Sequence, residues 1–166
     1  MKNLIFILLL IPLSISCQTE KNATSKYPAH VGNIEFDAKL DGKFKKCSQE
    51  TSYQYYNDNG FQIDGEKIKI INELQKLNFT EDKKSNGYIT IRFVVNCEGK
   101  SGIFRMQQMD SEYKAYDFNE ELSNQLLNFT KNLKGWMPIK INGEKADHYQ
   151  YLTYKIEHGK VSEILP

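Results

Sequence analysis

The side chains best able to do chemistry in this chain are three cysteines, Cys17, Cys47 and Cys97, and three histidines, His30, His148 and His158. A metal site needs several such ligands at short spacing, and no histidine stands at ligand spacing from another histidine, a cysteine or a carboxylate. There is no C-x-x-C pair for dithiol redox work. Gly99-Lys-Ser101 imitates the end of a phosphate-binding loop. The glycine required five residues before Gly99 is Val94, however, and a hairpin stands where the helix should be. Asn57-Asp-Asn-Gly60 lacks the acidic spacing and closing glutamate of a calcium loop. Glu120-Glu121 is explained by a helix start, where the dipole favours carboxylates. His148 at a strand start and His158 in a Glu-His-Gly turn read as solvated surface. Catalysis requires convergent groups, so the expectation is a non-enzyme with no catalytic residue, metal or cofactor.

The cysteines differ in setting. Lys2 is the one charge among the first sixteen residues, followed by an apolar run from Leu4 to Leu13 and the small residues Ser14-Ile-Ser16 directly before Cys17. That order is a secretory signal, and its apolar run is shorter than the ~20 residues that cross a bilayer. The cysteine after the small residues resembles a bacterial lipoprotein signal, although Ser14 stands where leucine is usual. The resemblance implies lipidation of Cys17, which would become the N-terminus of the mature chain. Several acyl chains would hold it firmly to a membrane. Gln18 replaces the aspartate that retains enteric lipoproteins at the inner membrane, which by the same resemblance points to the outer membrane. The polar residues that follow read as a flexible tether.

An exported chain meets oxidising conditions, so the remaining pair, Cys47 and Cys97, is most simply a disulfide. The strand pattern of residues 87–97 places the Cys97 sulfur on the apolar face, which predicts a buried bridge. Without Lys2 the chain has 21 basic and 21 acidic residues, and no basic stripe that would indicate nucleic acid.

The elements that position these residues follow from periodicity. Ile34, Phe36, Ala38 and Leu40 alternate with polar residues and predict a short strand. Asp64 reads as the cap for a helix to about Asn78, with Ile68, Ile71 and Leu74 as its apolar face, Ile70 as a further candidate and Leu77 after them. Ile89, Ile91, Phe93 and Val95 share one face of the clearest strand, and a turn at Gly99 and Gly102 returns the chain through Ile103 to Met109. Asp117-Phe-Asn-Glu120 reads as a capping box led by Asp117, and Phe118, Leu122, Leu126, Phe129 and Leu133 follow at spacings of 4, 4, 3 and 4. Asn142-Gly143 marks a turn before a last strand, Tyr149 to Ile156, and Val161 to Pro166 forms a candidate extra edge segment.

From Gly87 to Pro166 this order resembles the C-terminal domain of the TonB family. The resemblance rests on the strand ending at Val95-Asn96, the glycine turn, the helix with Leu126 and Leu133, the Trp136-x-Pro138 step, the Asn142-Gly143 turn and the closing strand. It implies an α+β fold, a small antiparallel sheet packed against two helices in β-β-α-β order, with Trp136, Pro138 and Gly143 as structural motif residues. The chain divides into a signal (1–16), a lipidated cysteine and tether (17–30), an N-terminal extension with a short strand and helix (31–86), and the TonB-like unit (87–166). The resemblance further implies capture of a protein partner, such as a segment of an outer-membrane receptor, as an added strand. The expected edge is the last strand, with Tyr149, Tyr151 and Thr153 facing a partner or simply covering the sheet. The chain lacks the uncleaved membrane helix and proline-rich spacer of an energy transducer, having four prolines in all. The expectation is therefore a lipid-anchored binding protein of the cell envelope, at the periplasmic face or the cell surface. The alternative is a structural accessory lipoprotein whose sheet edge is covered by its own Ile34–Leu40 strand. Partner identity and oligomeric state are left open.

Overall fold

A computed structural model describes residues 34–48, 52–54, 62–79 and 83–165. The apolar run, Cys17, the tether, His30 and the Asn57–Gly60 turn lie outside the described residues. The fold is α+β. Four antiparallel strands, β1 (Gly87–Val95), β2 (Ser101–Asp110), β5 (His148–Glu157) and β6 (Lys160–Leu165), form one sheet in the order β2-β1-β5-β6. Helices α1 (Ala38–Asp41), α2 (Glu66–Leu74) and α3 (Glu120–Asn132) and a separate hairpin, β3 (Ile139–Ile141) with β4 (Glu144–Ala146), complete it.

The alternation of β1 builds the core. Ile89, Ile91, Phe93 and Val95 are fully buried on one sheet face, beside Leu152, Tyr154 and Ile156 of β5 and Ile164 of β6. Helix α3 lays its stripe on this face, and Phe118, Leu122, Leu126, Phe129 and Leu133 are all buried, as their spacing predicts. The cap is Asn119, whose Oδ1 accepts from Glu121 N (2.9 Å) and Leu122 N (3.3 Å), and not Asp117. Phe118 is buried and donates its N–H to Gln108 Oε1, which holds the chain extended for two residues past the expected start.

Helix α2 completes the cover but is shorter than expected and rotated. Its cap is Gly65, in the left-handed conformation, and Asp64 N donates to Gly135 O (2.8 Å). Of the expected apolar residues, Ile70 and Leu74 are buried, an i, i+4 seam, while Ile68 is 60% exposed. Ile63, fully buried just before the helix, fixes that rotation. Trp136 forms a bridge with Ile63, and its indole meets the Phe93 ring edge-on at 5.0 Å between centroids. Met137 N donates to Gln62 O, so the Trp136-x-Pro138 step ties the end of α3 to the start of α2. One core therefore spans both sides of the expected boundary at residue 87. The Asn142-Gly143 turn has φ of +52° and +88°, the primed hairpin geometry that asparagine and glycine adopt with least strain.

A buried hydroxyl pair lies inside this core. Thr130 Oγ1 donates to Leu126 O (2.8 Å), which leaves Tyr154 Oη to donate to Thr130 Oγ1 (2.8 Å). Burial pushes the Tyr154 phenol well above its ordinary pKa, so it stays protonated as this role requires. Tyr154→Phe is expected to cost about 1 kcal/mol in a urea melt, since Thr130 keeps its bond to Leu126.

The expected Ile34–Leu40 strand is not formed. Asp37 Oδ1 accepts from Lys39 N (2.8 Å) and Leu40 N (3.3 Å), which turns the chain into α1. Asp41 then reaches the sheet and holds Arg105 of β2 through both carboxylate oxygens (2.6 and 3.1 Å). Burial pushes the Asp41 carboxyl up, but hydrogen bonds from Arg105 and Asp37 and the guanidinium charge outweigh it, so its pKa is lowered. Ile34 and Phe44 pack on Val94, Ile103 and Tyr149. Residues 34–48 thus form a strap over the sheet face opposite α3. A Cβ on Gly102 would lie 2.2 Å from the Phe44 ring, so glycine is required for this approach.

Candidate functional site

The sheet edges decide where another chain could add. β5 is paired on both sides and is not an edge. Gly87–Val95 of β1 lies along one side, and β6 pairs with Thr153–Glu157 on the other. Ahead of β6, Tyr53 bridges to His148: Tyr53 N donates to Asp147 O (2.9 Å), and Tyr149 N donates to Tyr53 O (2.8 Å). Between these two covers, Tyr151 N donates to Gln150 Oε1 (3.1 Å). This corrects the expected binding edge at Tyr149, Tyr151 and Thr153. Tyr149 is buried beneath Arg92, whose Cζ lies 4.3 Å from its ring centroid, and its Oη accepts from Ile34 N (3.0 Å). Tyr151 and Thr153 are half-buried, and Thr153 Oγ1 lies 3.0 Å from Thr90 Oγ1. The cause is the segment from Lys160 to Leu165, which returns as a full strand.

The true edges are β2 and β6, and they are not alike. Along β2, Tyr116 N donates to Gln108 O and Asp110 N donates to Lys114 O, while Arg105 Nη1 donates to Phe104 O. The return loop thus covers the Gln108–Asp110 end of that edge, and a guanidinium of the strand itself engages the Phe104 carbonyl. Along Val161–Leu165 of β6, no backbone hydrogen bond among the described residues reaches the side away from β5. Ladder alternation turns the Ile164 N–H and C=O to that side. A groove of about 270 Å³ opens beside the start of β6, lined by Leu74 of α2, by Gln75, Leu77, Asn78 and Phe79 after it, and by Lys160 and Val161.

No protein-family model, curated protein or solved structure matches this chain. Its chemistry is therefore read from its own residues.

Cys47 and Cys97 are joined, as expected, but the bridge is not buried: Cys97 is half-buried and Cys47 exposed. β1 ends at Val95, and Asn96 begins the turn by accepting from Glu98 N (3.0 Å) and Lys100 N (2.9 Å) at its Oδ1. The alternation that was expected to bury Cys97 stops before reaching it. Beside the bridge lies Asp147, 1% exposed, which no sequence pattern singles out. Its Oδ2 accepts from Cys47 N (2.8 Å) and Ser48 N (3.1 Å), and its Oδ1 from Cys97 N (2.9 Å). Asp147 and the two cysteines are close enough to suggest a metal set, but the sulfurs are bonded to each other and the carboxylate is engaged by three N–H groups. The group is a clamp that fastens the strap to the β1–β2 turn.

His148 next to the clamp is fully buried, which corrects its reading as solvated surface; His158 is exposed. As the first residue of β5 opposite Val95, His148 faces the core, and burial lowers its pKa to about 4 despite the opposing pull of the Asp147 charge. Between the ordinary value of 6.5 and about 4 the unfolded chain binds a proton that the folded chain does not. Stability is therefore full above pH 6.5 and falls as the pH drops, by about 3 kcal/mol at pH 4 from this group. A urea-melt series from pH 7 to 4 is expected to show this slope, and His148→Gln to flatten it by that amount.

Trp136 is buried and holds the core step described above, Pro138 follows it, and Gly143 sits at the β3–β4 turn. None of the three reaches the β6 groove, whose lining is drawn from α2, the residues after it and β6. Among the described residues no helix is long and apolar enough to cross a membrane.

Proposed function

We propose that the protein is a lipid-anchored binding protein of the cell envelope that takes up a segment of a partner protein as an added strand, without itself transducing energy. The observation that carries this reading is the outer side of β6, which offers backbone groups along Val161–Leu165 beside a groove of mixed apolar and polar lining. A segment laid there would gain affinity from main-chain hydrogen bonds, and an apolar side chain in the groove would add selectivity. The anchor at Cys17 rests on the resemblance of the first seventeen residues to a lipoprotein signal. Strand addition and an outer-membrane receptor as partner rest on the resemblance to the TonB domain, with the edge moved from β5 to β6.

The test is a photo-activatable residue at Ser162, exposed on β6, against a control at Asn128, exposed on α3, both in native membranes. The expected result is an adduct to one partner segment from position 162 and none from position 128. No adduct from 162, or the same adduct from both, would refute strand addition at this edge. One observation favours a second reading, a structural accessory lipoprotein with a closed sheet. The β5–β6 register shifts between Lys155 and Ile156, a bulge of the kind that blunts edges. In that case the 162 variant stays uncoupled.

A further inference from the structure

The strap carries an outward face that the fold does not use. Asp37 and Asp41 turn toward each other and, through Arg105, toward the sheet. Phe36, Lys39 and Leu40, which alternate with or adjoin these two aspartates, are left exposed. Phe36 is 56% exposed and Leu40 75% exposed, large values for apolar side chains. Lys43 and Lys45 are exposed and Lys46 is half-buried just beyond. Against these four lysines stand Glu35 and Asp37, both exposed, because Asp41 is paired with Arg105. The patch therefore has two apolar projections within a net positive surround.

We infer that this face is a membrane-contact surface for anionic lipid headgroups, with Phe36 and Leu40 entering the interface and the lysines meeting phosphate. Charge complementarity selects the occupant: residues 35–46 carry four lysines against two carboxylates outside the Asp41–Arg105 pair, in the same short segment as the two projections. Chain geometry places it: Ile34 stands 17 positions after Cys17, so a lipid-held Cys17 keeps the strap within about 60 Å of the bilayer even when fully extended. The inference rests on the envelope-anchor reading, in which the acyl chains hold the protein and the basic patch sets which face lies on the bilayer. The consequence is orientation. The strap face would lie on the membrane, and the opposite, α3-covered face would point away.

The test uses the chain from Gln18 onward, which holds every described residue and lacks only the signal and the acylated cysteine. It is mixed with vesicles of phosphatidylcholine alone or with phosphatidylglycerol added, and sedimented. Sedimentation with the anionic vesicles only, reversed by salt, is expected, with roughly fivefold weaker partition for each lysine removed. Lys43→Glu with Lys45→Glu should lower it more than tenfold, and Phe36→Ser with Leu40→Ser should abolish it. All four side chains project outward, so thermal midpoints should stay unchanged. Should a pair variant misfold, Leu40→Trp keeps the test open through a blue shift in emission on anionic vesicles. Equal sedimentation with both vesicles, or no effect of the lysine changes, overturns the proposal. So does a chain that ignores vesicles but is cross-linked through position 36 to an envelope protein. Because Cys17 is absent from the assay, such a failure leaves the acyl anchor standing, whereas missing lipid on the native chain would remove the anchor and leave the patch.

Discussion

Replacing Cys47 and Cys97 together by serine is expected to lower the free energy of unfolding by about 4 kcal/mol, the chain-entropy value for the closed loop of 50 residues. The loss should be uneven. The strap is the part fastened by this bond, so Ile34 and Phe44 should leave Val94, Ile103 and Tyr149 before the main core opens. Urea melts of the oxidised protein and the double variant measure the global loss. Amide exchange should show early release of the Ile34 N–H, now bonded to Tyr149 Oη, ahead of the β1 amides. A loss under 1 kcal/mol would mean that the carboxylate clamp and strap packing fix residues 34–48 without help.

Asp147→Ala is expected to cost roughly 3–5 kcal/mol, because it strands the N–H groups of Cys47, Ser48 and Cys97 around an emptied site. Asp147→Asn should cost less, since its one carbonyl oxygen can keep part of the set while its NH2 faces donors. The two fastenings act on the same strap, so their effects should not add. With the disulfide already removed, the further cost of Asp147→Ala should shrink by 1 kcal/mol or more, which a double-mutant cycle in urea measures. Full additivity would show that Asp147 orders the β1–β2 turn independently of the strap.

The difference between these residues and the rest of the fold explains what could be read from the chain alone. The α3 stripe and the β1 alternation were legible because each repeats one physical rule over many residues. The Cys47–Cys97 pair was legible because, once the chain is read as exported, two thiols without a C-x-x-C spacing leave few alternatives. Asp147 was not legible, since all three of its side-chain partners are backbone amides and amides carry no sequence signal. Ile34–Leu40 looked like a strand because its apolar residues alternate. Asp37 is a cap and Asp41 meets Arg105, however, and these two contacts override the alternation. β5 was misjudged for a related reason. Its half-polar face fits a sheet edge as well as a sheet surface, and only the return of β6 distinguishes them. The edge left uncovered among the described residues lies in the short tail segment, whose few residues contain too little pattern to rank it above its neighbour.

The clamp between the strap and the β1–β2 turn also determines how the molecule carries load. Tension entering from the N-terminal side of the strap would reach Cys47 and cross the covalent bond directly to Cys97. The residues between them, which include α2 and the central strand β1, lie inside a closed loop and off the force path. While the bond is intact, a pull between the two ends can peel β6 and β5 but cannot extend that loop, which withholds about 170 Å of contour length. Held at one end by a membrane and at the other by a strand-adding partner, the protein would yield first at its outermost strand and keep its centre closed. Cleaving one sulfur–sulfur bond would turn this short, stiff link into a long, compliant one.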